Sequence, residues 1–471
     1  MVWSAVLAAA GAVPCGPPAV AGERAATAAA WGREWYFAEG YTGQGFYEYL
    51  TFLNTDAQEA EVEVTYFSAG EQLPTVEHRV PGESRYTVSV NEDAGAGLEL
   101  SVRVVSDRPL LVERPMYFDY QGRYRGGHVG KGAADPSSQW YFAEGYTGPG
   151  FDEYLTLLNP NPFDCRVRIE YLLKGGGKLE REHTVPASRR YTVKVNDDAG
   201  KNLELSAAVT AYRDGSDPPE PAGIVAERPI YFLYGGTIDG GSVSLGSTAL
   251  GTEWYFAEGY TGDFFFEYIT VMNPNNVAVG VRMTYYTDDA PPAERPILHV
   301  PAFGRETVMV NTDVGWGRNV SVRLEAEKPV LAERPMYFHF LCGDLAVSGG
   351  DTALGKAPAS DWLAAEGYTG PGFYEFVTLL NREDYAVEAT FTYLLNGEPP
   401  QVKKHVVPPR SRYTVRVDGD IGTGKECGLE IWAARQDDPS SPSPLVVERP
   451  MYFLYRGGLG GGHIGMGFSP P

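Results

Sequence analysis

The sequence is poor in cysteine, histidine and basic residues, and each shortage argues against a class of function. It has 4 cysteines and 7 histidines among 471 residues. Cys15, Cys165, Cys342 and Cys427 fall at unrelated positions of the repeat described below, so neither a disulfide framework nor a cysteine metal site is expected. The 39 Lys and Arg against 61 Asp and Glu leave a net charge of −22. Nucleic acid and anionic membranes are therefore not expected partners, because both need a basic face.

Long apolar runs are also missing after the N-terminus. No stretch there reaches the ~18 apolar residues of a membrane-spanning helix, so no membrane span is predicted. The apolar run at 2–13 and the small residues AVA at 19–21 resemble an export signal, although no Lys or Arg precedes the run. We interpret residues 1–33 as an export-signal-like, Ala-rich segment and predict an extracellular or cell-surface location.

What the sequence does contain is one unit written four times. WYFAEGYTG at 35–43 returns unchanged at 140–148 and 254–262, and as WLAAEGYTG at 362–370. The motifs FYEYLTFLN, RYTVSVNEDAG and ERPMYF of the first copy recur in step with it. Internal repetition of this kind indicates that one structural unit recurs along the chain.

The period of the repeat indicates domains rather than blades or coils. Successive tryptophans are 105, 114 and 108 residues apart, whereas solenoid and propeller repeats run to about 20–50 residues. A unit of this length can bury a core of its own. We predict four domains, joined by short Gly-rich segments like beads on a string, at residues 34–138, 139–252, 253–360 and 361–468.

Within one unit the pattern is that of β-structure. AEVEVTYF and RYTVSV alternate apolar and polar residues, which is typical of half-buried strands. In the first copy the predicted strands are 35–39, 46–54, 61–68, 75–80, 85–91, 98–106 and 110–120. Turn motifs such as NTDAQ and SDRP separate them. The sequence therefore predicts an all-β protein of four tandem immunoglobulin-like β-sandwiches with about seven strands each.

The shared motifs also carry a family resemblance. The pattern WYFAEGYTG, EYLTLLNPN, RYTV, ERPMYF and GGH resembles an uncharacterised tandem β-sandwich repeat of secreted and cell-surface bacterial proteins, especially of high-GC Gram-positive lineages. The resemblance covers residues 35 to about 468. It implies the same location and architecture, and it implies no catalytic residue, cofactor or ligand. The fourth copy departs from it with WLAAEG, and the second and third replace GGH by GGS and GGD.

Charged residues on apolar strand faces predict buried ion pairs. Glu48 shares its strand face with Phe46 and Leu50, and Arg114 lies on an apolar face of the last predicted strand. A charge in such a place is costly unless it is paired. We predict one partly buried pair in each domain, with Glu39 and its counterparts as competing partners. The predicted pairs are Glu48–Arg114, Glu153–Arg228, Glu267–Arg334 and Glu375–Arg449.

Two further motifs have a structural and a chemical interpretation. The N-x-D-x-G motif resembles the start of a calcium loop, but it lacks the glutamate at the twelfth position and also suits a tight turn. We favour the turn. The weaker calcium candidates are Asn91, Asp93, Asn196, Asp198, Asn311, Asp313, Asp418 and Asp420.

Glu39 and Glu48 could form a glycosidase pair, which would need a cleft and a defined carboxylate separation. We keep a glycoside hydrolase only as a remote alternative.

These patterns together predict a non-enzymatic secreted or cell-surface protein with a structural or adhesive function and no cofactor. The expected partners are surface glycans or other surface proteins. The alternative is an array of carbohydrate- or cell-wall-binding modules, in which aromatic side chains such as Tyr47 and Tyr49 contact the ligand and four weak sites add their affinities. Core packing of these aromatics is the simpler interpretation.

Overall fold

The computed structural model describes residues 32–70, 72–343 and 345–470. The export-like segment predicted at the N-terminus lies outside the described residues, apart from its last positions. The first repeat contains eight strands and one short helix: β1 Glu34–Phe37, β2 Phe46–Asn54, β3 Ala60–Ser68, β4 Val76–Val80, β5 Ser84–Ser89, α1 Val90–Asp93, β6 Leu100–Ser106, β7 Leu111–Tyr120 and β8 Tyr124–Lys131.

The other repeats follow the same order of elements. The second has β9 Gln139–Phe142, β10 Phe151–Asn159, β11 Cys165–Lys174, β12 Lys178–Val185, β13 Arg189–Lys194, α2 Val195–Asp198, β14 Leu205–Arg213, β15 Val225–Tyr234 and β16 Ile238–Leu245. The third has β17 Gly251–Phe256, β18 Phe265–Asn273, β19 Val279–Thr287, β20 Ala290–Glu294, β21 Leu298–Val300, β22 Gly304–Met309, α3 Val310–Val314, β23 Val320–Cys342 and β24 Leu345–Leu354. The fourth has β25 Asp361–Ala364, β26 Phe373–Asn381, β27 Val387–Leu395, β28 Glu398–Val407, β29 Ser411–Arg416, α4 Val417–Ile421, β30 Cys427–Arg435, β31 Val446–Tyr455 and β32 Leu459–Met466.

Each repeat is built from two antiparallel sheets. In the first repeat the outer sheet has the strand order β1-β6-β3-β4 and the inner sheet the order β5-β2-β7-β8. Apolar side chains of both sheets, among them Trp35, Leu50, Val64 and Val102, form one buried core. The second and fourth repeats have the same pairings, and in the third the long β23 pairs in both sheets. The helices described are single turns of four or five residues, and none could cross a membrane.

The predicted all-β fold is confirmed, and each repeat has one strand more than the seven or so predicted. The seven strands predicted for the first copy match β1 to β7 closely. An eighth strand, Tyr124–Lys131, lies in the Gly-rich tail that was expected to be a linker. The late Gly-rich run at 457–463 likewise supplies the first five residues of the strand Leu459–Met466. These strands are not recognisable from the sequence, because glycine has no side chain and so gives no alternation of apolar and polar residues.

The repeats close into a ring instead of extending as a string. The eighth strands β8, β16, β24 and β32 pack side by side around a common axis, and β32 returns to contact β8. The core of the first repeat continues into the fourth through Leu363, Leu394 and Phe468. The predicted arrangement of beads on a string is therefore wrong: the first and last repeats touch as neighbouring repeats do.

Glycine pairs make the axis possible. A side chain at Gly461 would place its Cβ 3.2 Å from the Cα of Gly126 and 2.9 Å from the ring of Phe453. A Cβ at Gly240 would lie 3.2 Å from the Cα of Gly349. Backbones can approach this closely only without side chains, so the GG pair that recurs in every copy is a packing requirement of the ring.

Candidate functional site at the junctions between repeats

The ERP motif joins each repeat to the next by a buried ion pair. Nη1 of Arg114 lies 2.9 Å from Oε2 of Glu227 in the second repeat, and Nη2 lies 3.3 Å from Oε1. Arg114 also donates to the backbone carbonyl of Glu39, whose N–H donates to Glu227. The equivalent pairs are Arg228–Glu333 at 2.8 Å, Arg334–Glu448 at 2.8 Å and, closing the ring, Arg449–Glu113 at 3.1 Å.

The AEG glutamate forms a second buried pair across the same junction. Oε2 of Glu39 lies 2.8 Å from Nη2 of Arg190, in the RRYTV motif of the second repeat, and accepts the hydroxyl hydrogen of Thr156. The equivalent pairs are Glu144–Arg305 at 2.8 Å, Glu258–Arg412 at 2.6 Å and Glu366–Arg85 at 2.5 Å. Two glutamates and two arginines thus balance at every junction, as charges removed from water require.

The prediction that the ion pairs form within a repeat is wrong. Glu48 is fully buried as expected, but its Oε2 accepts the N–H of Tyr41 and its Oε1 has no hydrogen-bond partner among the described residues. Burial raises the pKa of Glu48 to about 8, against the opposing effect of the nearby Arg114. Because the copies share the same motifs, the sequence could not show that each arginine binds the glutamate of the next copy.

Two of the other three predicted pairs have the same outcome, and the fourth, Glu375–Arg449, forms only as a long ion pair of 4.0 Å. Burial raises the pKa of each predicted glutamate to about 8. Only in the fourth repeat do the two side chains come within 4.0 Å, between Nε of Arg449 and Oε1 of Glu375. The glutamates concerned are Glu153, Glu267 and Glu375, and their expected partners were Arg228, Arg334 and Arg449.

The glycine of WYFAEGYTG has a steric reason. A Cβ at Gly40 would lie 2.7 Å from the carbonyl oxygen of Leu100 and 2.9 Å from Oε1 of Glu48. Gly145, Gly259 and Gly367 are enclosed in the same way. The motif therefore combines a glutamate that binds the next repeat with a glycine that lets the chain pass over a buried carboxyl group.

The oxygens of the calcium candidates form hydrogen bonds and ion pairs with other groups of the protein. Oδ1 of Asn91 accepts the N–H of Glu48, and Oδ2 of Asp93 accepts the hydroxyl of Tyr66 and lies 2.7 Å from Nε2 of His78. Asn196 and Asn311 accept the corresponding N–H groups, and Asp198, Asp313, Asp418 and Asp420 are each held by a tyrosine, histidine or arginine side chain. The described residues contain no group of three or more His, Cys, Asp and Glu placed to hold a metal ion.

Stacked aromatic rings cross every junction at the inner sheets. Ring centroids are 4.1 Å apart in Tyr120–Tyr231, 4.2 Å in Tyr234–Tyr337, 3.7 Å in Phe340–Tyr452 and 3.9 Å in Tyr455–Tyr117. At three junctions the hydroxyl of the first ring also hydrogen-bonds a second tyrosine, in Tyr120–Tyr154, Tyr234–Tyr268 and Tyr455–Tyr49. The Tyr47 and Tyr49 side chains considered for ligand binding therefore lie against Tyr455 of the fourth repeat.

The junction between the third and fourth repeats lacks the tyrosine pair. Phe340 and Phe376 occupy its two positions, so both hydroxyls are lost at the same junction. A cavity of about 850 Å³ lies here, lined by aromatic rings that include Tyr260 and Tyr452. The equivalent cavity at the closing junction, between the fourth and first repeats, measures about 230 Å³. We call the larger one the 3–4 cavity.

The rim of the 3–4 cavity carries exposed apolar side chains and one strained residue. Phe264 is 57% exposed, Leu341 is 70% exposed and Tyr413 is 37% exposed. Phe264 has φ of +65°, in the left-handed region that a bulky residue rarely adopts. The other three repeats have glycine at this position of the turn. Strain of this kind is often found at functional sites.

Arg412 forms part of the floor of the 3–4 cavity. Its Nη2 lies 2.6 Å from Oε2 of Glu258, and its buried Nε has no hydrogen-bond partner among the described residues, as is also true of the equivalent Arg85, Arg190 and Arg305. The equivalent Arg85 has a second carboxylate, Glu426, at 2.9 Å. Asn319 stands at the position of Glu426 in the third repeat and lines the cavity. The guanidinium of Arg412, with a side chain 4% exposed, therefore has hydrogen-bonding capacity left for a ligand.

The glutamates of the glycosidase alternative do not form an exposed pair. Glu39 is bound by Arg190 and Thr156, and Glu48 is fully enclosed. Glu258, the counterpart of Glu39 at the floor of the 3–4 cavity, is held by Arg412 and Thr378. The AEG glutamates are thus committed to contacts between repeats.

No known protein family matches the chain, and no curated protein matches it. Among solved structures, Thermotoga maritima 1070 matches with 14% identity over 23% of this chain and 96% of its own, at a TM-score of 0.20. Anabaena sensory rhodopsin transducer matches with 25% identity over 18% and 97%, at 0.17. A tetra-tandem repeat from the extending region of a large adhesion protein matches with 12% identity over 89% and 94%, at 0.11. These scores are too low to assign a function.

Proposed function

We propose that this chain is a non-enzymatic carbohydrate-binding protein of the cell exterior, a closed ring that holds its ligand in the 3–4 cavity. The observation that carries the proposal is the departure of this junction from the other three. Phe340 and Phe376 replace the tyrosine pair, and the strained Phe264 replaces a glycine at the rim. The extracellular location is supported by the export-like N-terminal pattern and by the resemblance to surface repeats.

The chemistry of the cavity suits a sugar. Its volume of about 850 Å³ is within the usual size of a small-molecule pocket, and such pockets combine apolar walls with a few polar groups. Aromatic rings provide apolar faces for the C–H side of a pyranose, while Asp263, Asn319 and His339 of the lining can hydrogen-bond its hydroxyls. The unused donor capacity of Arg412 favours a sugar that carries a carboxylate.

This proposal differs from the array of four weak sites. The closing junction has the same positions but a cavity of about 230 Å³, and its tyrosine hydroxyls are 2.6 Å apart. One principal site per chain follows, so affinity depends on the quality of that site. Adhesion would then result from one ring binding one glycan end or branch.

Calorimetric titration with a panel of neutral and acidic oligosaccharides tests the proposal. We expect saturable binding with one site per chain, and loss of binding in the double variant Phe340→Tyr/Phe376→Tyr, which installs the tyrosine pair of the other junctions. The matched control is Tyr49→Phe/Tyr455→Phe at the closing junction, which should bind as the unaltered protein does. Equal affinities of the unaltered protein and the Phe340→Tyr/Phe376→Tyr variant, or no binding to any glycan, would contradict the proposal.

A further inference from the structure

A second cavity, of about 540 Å³, lies at the end of the ring axis and is lined by all four repeats. We call it the axial cavity. The strands β8, β16, β24 and β32 meet there, so it exists only in the closed ring. It is separate from the 3–4 cavity, and no residue lines both.

Two lysines from opposite repeats meet in the axial cavity. Lys131 ends β8 of the first repeat, and Lys356 follows β24 of the third. Both side chains line the cavity, and the ammonium group of Lys131 lies 5.1 Å from the ring centre of Phe468. No ion pair joins either lysine to a carboxylate within 4.0 Å in the part of the chain that the structure describes. In a chain of net charge −22, two lysines that share a cavity and form no ion pair within 4.0 Å are unusual, although Lys131 lies opposite Glu113 in the strand pairing.

The repeated fold does not explain these lysines. The position of Lys131 holds Leu245, Leu354 and Met466 in the other copies, and that of Lys356 holds Ala133, Ser247 and Phe468. Each of the two positions therefore holds a lysine in one repeat and no cation in the other three. Both lysines are departures from the repeat that point to the same cavity.

The acidic groups of the lining are largely engaged elsewhere. Glu113 is held by Arg449 and by the N–H groups of Ala365 and Glu366. Asp351 accepts the N–H of Ile464 and lies 3.0 Å from Nδ1 of His463, and Asp135 is exposed. Burial and the neighbouring Lys356 lower the pKa of Lys131 well below its usual range, and burial lowers the pKa of Lys356. Both side chains are half-buried, and the charged form of each is disfavoured by burial and, for Lys131, by its neighbour; an anion bound between them would favour the charged form of both.

We propose that the axial cavity binds a small anion through an oxyanion group, carboxylate or phosphate, held between Lys131 and Lys356. The ligand would contact repeats on opposite sides of the axis and so stabilise the closed ring. It would bind the folded chain alone, so the melting temperature should rise with the logarithm of the ligand concentration once that concentration exceeds Kd.

Calorimetric titration and thermal unfolding with inorganic phosphate and with succinate test this proposal. We expect one saturable site per chain for at least one probe, with a rise in melting temperature; the stronger probe identifies the preferred group. The variants Lys131→Leu and Lys356→Ala use residues found at these positions in other repeats, so both should fold. Each should lose at least tenfold in affinity and should unfold at a higher temperature than the unaltered protein in the absence of ligand, because the repulsion is removed.

The variant Lys403→Leu, at an exposed strand position, is the control for a change of net charge and should bind as the unaltered protein does. Saturable binding that survives in the double variant Lys131→Leu/Lys356→Ala would contradict the proposal. Absence of binding to both probes, or a melting temperature that neither lysine replacement raises, would also contradict it. None of these outcomes depends on glycan binding at the 3–4 cavity.

Discussion

The four buried glutamates of the EY and EF motifs are expected to make the ring less stable as the pH rises. Burial raises the pKa of Glu48 to about 8, from 4.5 in the unfolded chain. Between these values the folded state keeps a proton that the unfolded chain has released, so the free energy of unfolding falls with pH. Below pH 4.5 both states are protonated and this contribution is complete; it is lost as the pH rises through about 8.

The size of the effect follows from the shift. About 3.5 pKa units at 1.36 kcal/mol per unit correspond to roughly 5 kcal/mol for one glutamate that is fully ionised in the folded state. Glu153, Glu267 and Glu375 have the same shift. Each repeat thus has one such glutamate, and a loss of roughly 5 kcal/mol is comparable with the lower end of the usual stability of a domain, so partial opening of a junction above pH 8 is the expected response.

Urea unfolding at a series of pH values and constant ionic strength measures the effect. Glu48→Gln keeps a neutral side chain that can still accept the N–H of Tyr41, so its stability should fall less steeply with pH than that of the unaltered protein. Glu77→Gln, at an exposed strand position, controls for the change of charge and should keep the original slope. If Glu48→Gln and the unaltered protein lose stability in parallel between these pH values, the reasoning about buried carboxyl groups is refuted.

Three further outcomes are expected. In a double-mutant cycle, Arg85→Met and Glu366→Gln should be coupled by about 2 kcal/mol, although the residues are 281 positions apart; additive effects in urea unfolding would exclude the closing contact. Gly461→Ala should cost about 1–3 kcal/mol by overpacking the axis, while Gly458→Ala, which meets nothing within 4 Å, should change stability little; equal effects would contradict the packing of the axis. Phe264→Gly should raise the melting temperature, because glycine relieves the backbone strain, and should weaken glycan binding; a lower melting temperature would contradict the assignment of strain.

The sequence predicts the strands of this fold better than their assembly. Alternation in segments such as AEVEVTYF indicates β3 correctly, whereas β8 and β32 are rich in glycine and show no alternation. The recurrence of GG at one position of all four copies was the available signal, because a linker does not need a fixed glycine pair. The alternation of side chains along a strand also places Glu48 and Arg114 on apolar faces, in agreement with their burial.

The junctions were harder to predict for a physical reason. The arginine and the glutamate of each ion pair recur in every copy. Arg114 could therefore pair with a glutamate of its own repeat or of the next, and the sequence does not distinguish these two partners. Glu113 was overlooked because β7 is buried on both faces: its repeat's own outer sheet covers one face and the neighbouring repeat covers the other. The departures at Phe264, Phe340 and Phe376 are visible in the sequence, but only the fold shows that they meet at one junction.

The closed ring underlies both proposed sites, since each cavity is formed by contacts between repeats. Small-angle X-ray scattering of the full chain tests the ring most directly. A compact arrangement of this length predicts a radius of gyration of about 23 Å, whereas four domains of about 13 Å each in an extended string predict about 40 Å. A value near the first, unchanged when the salt concentration is raised, is the expected result. A value near the second would show that the fourth repeat does not return to the first, and would contradict the ring and both cavities.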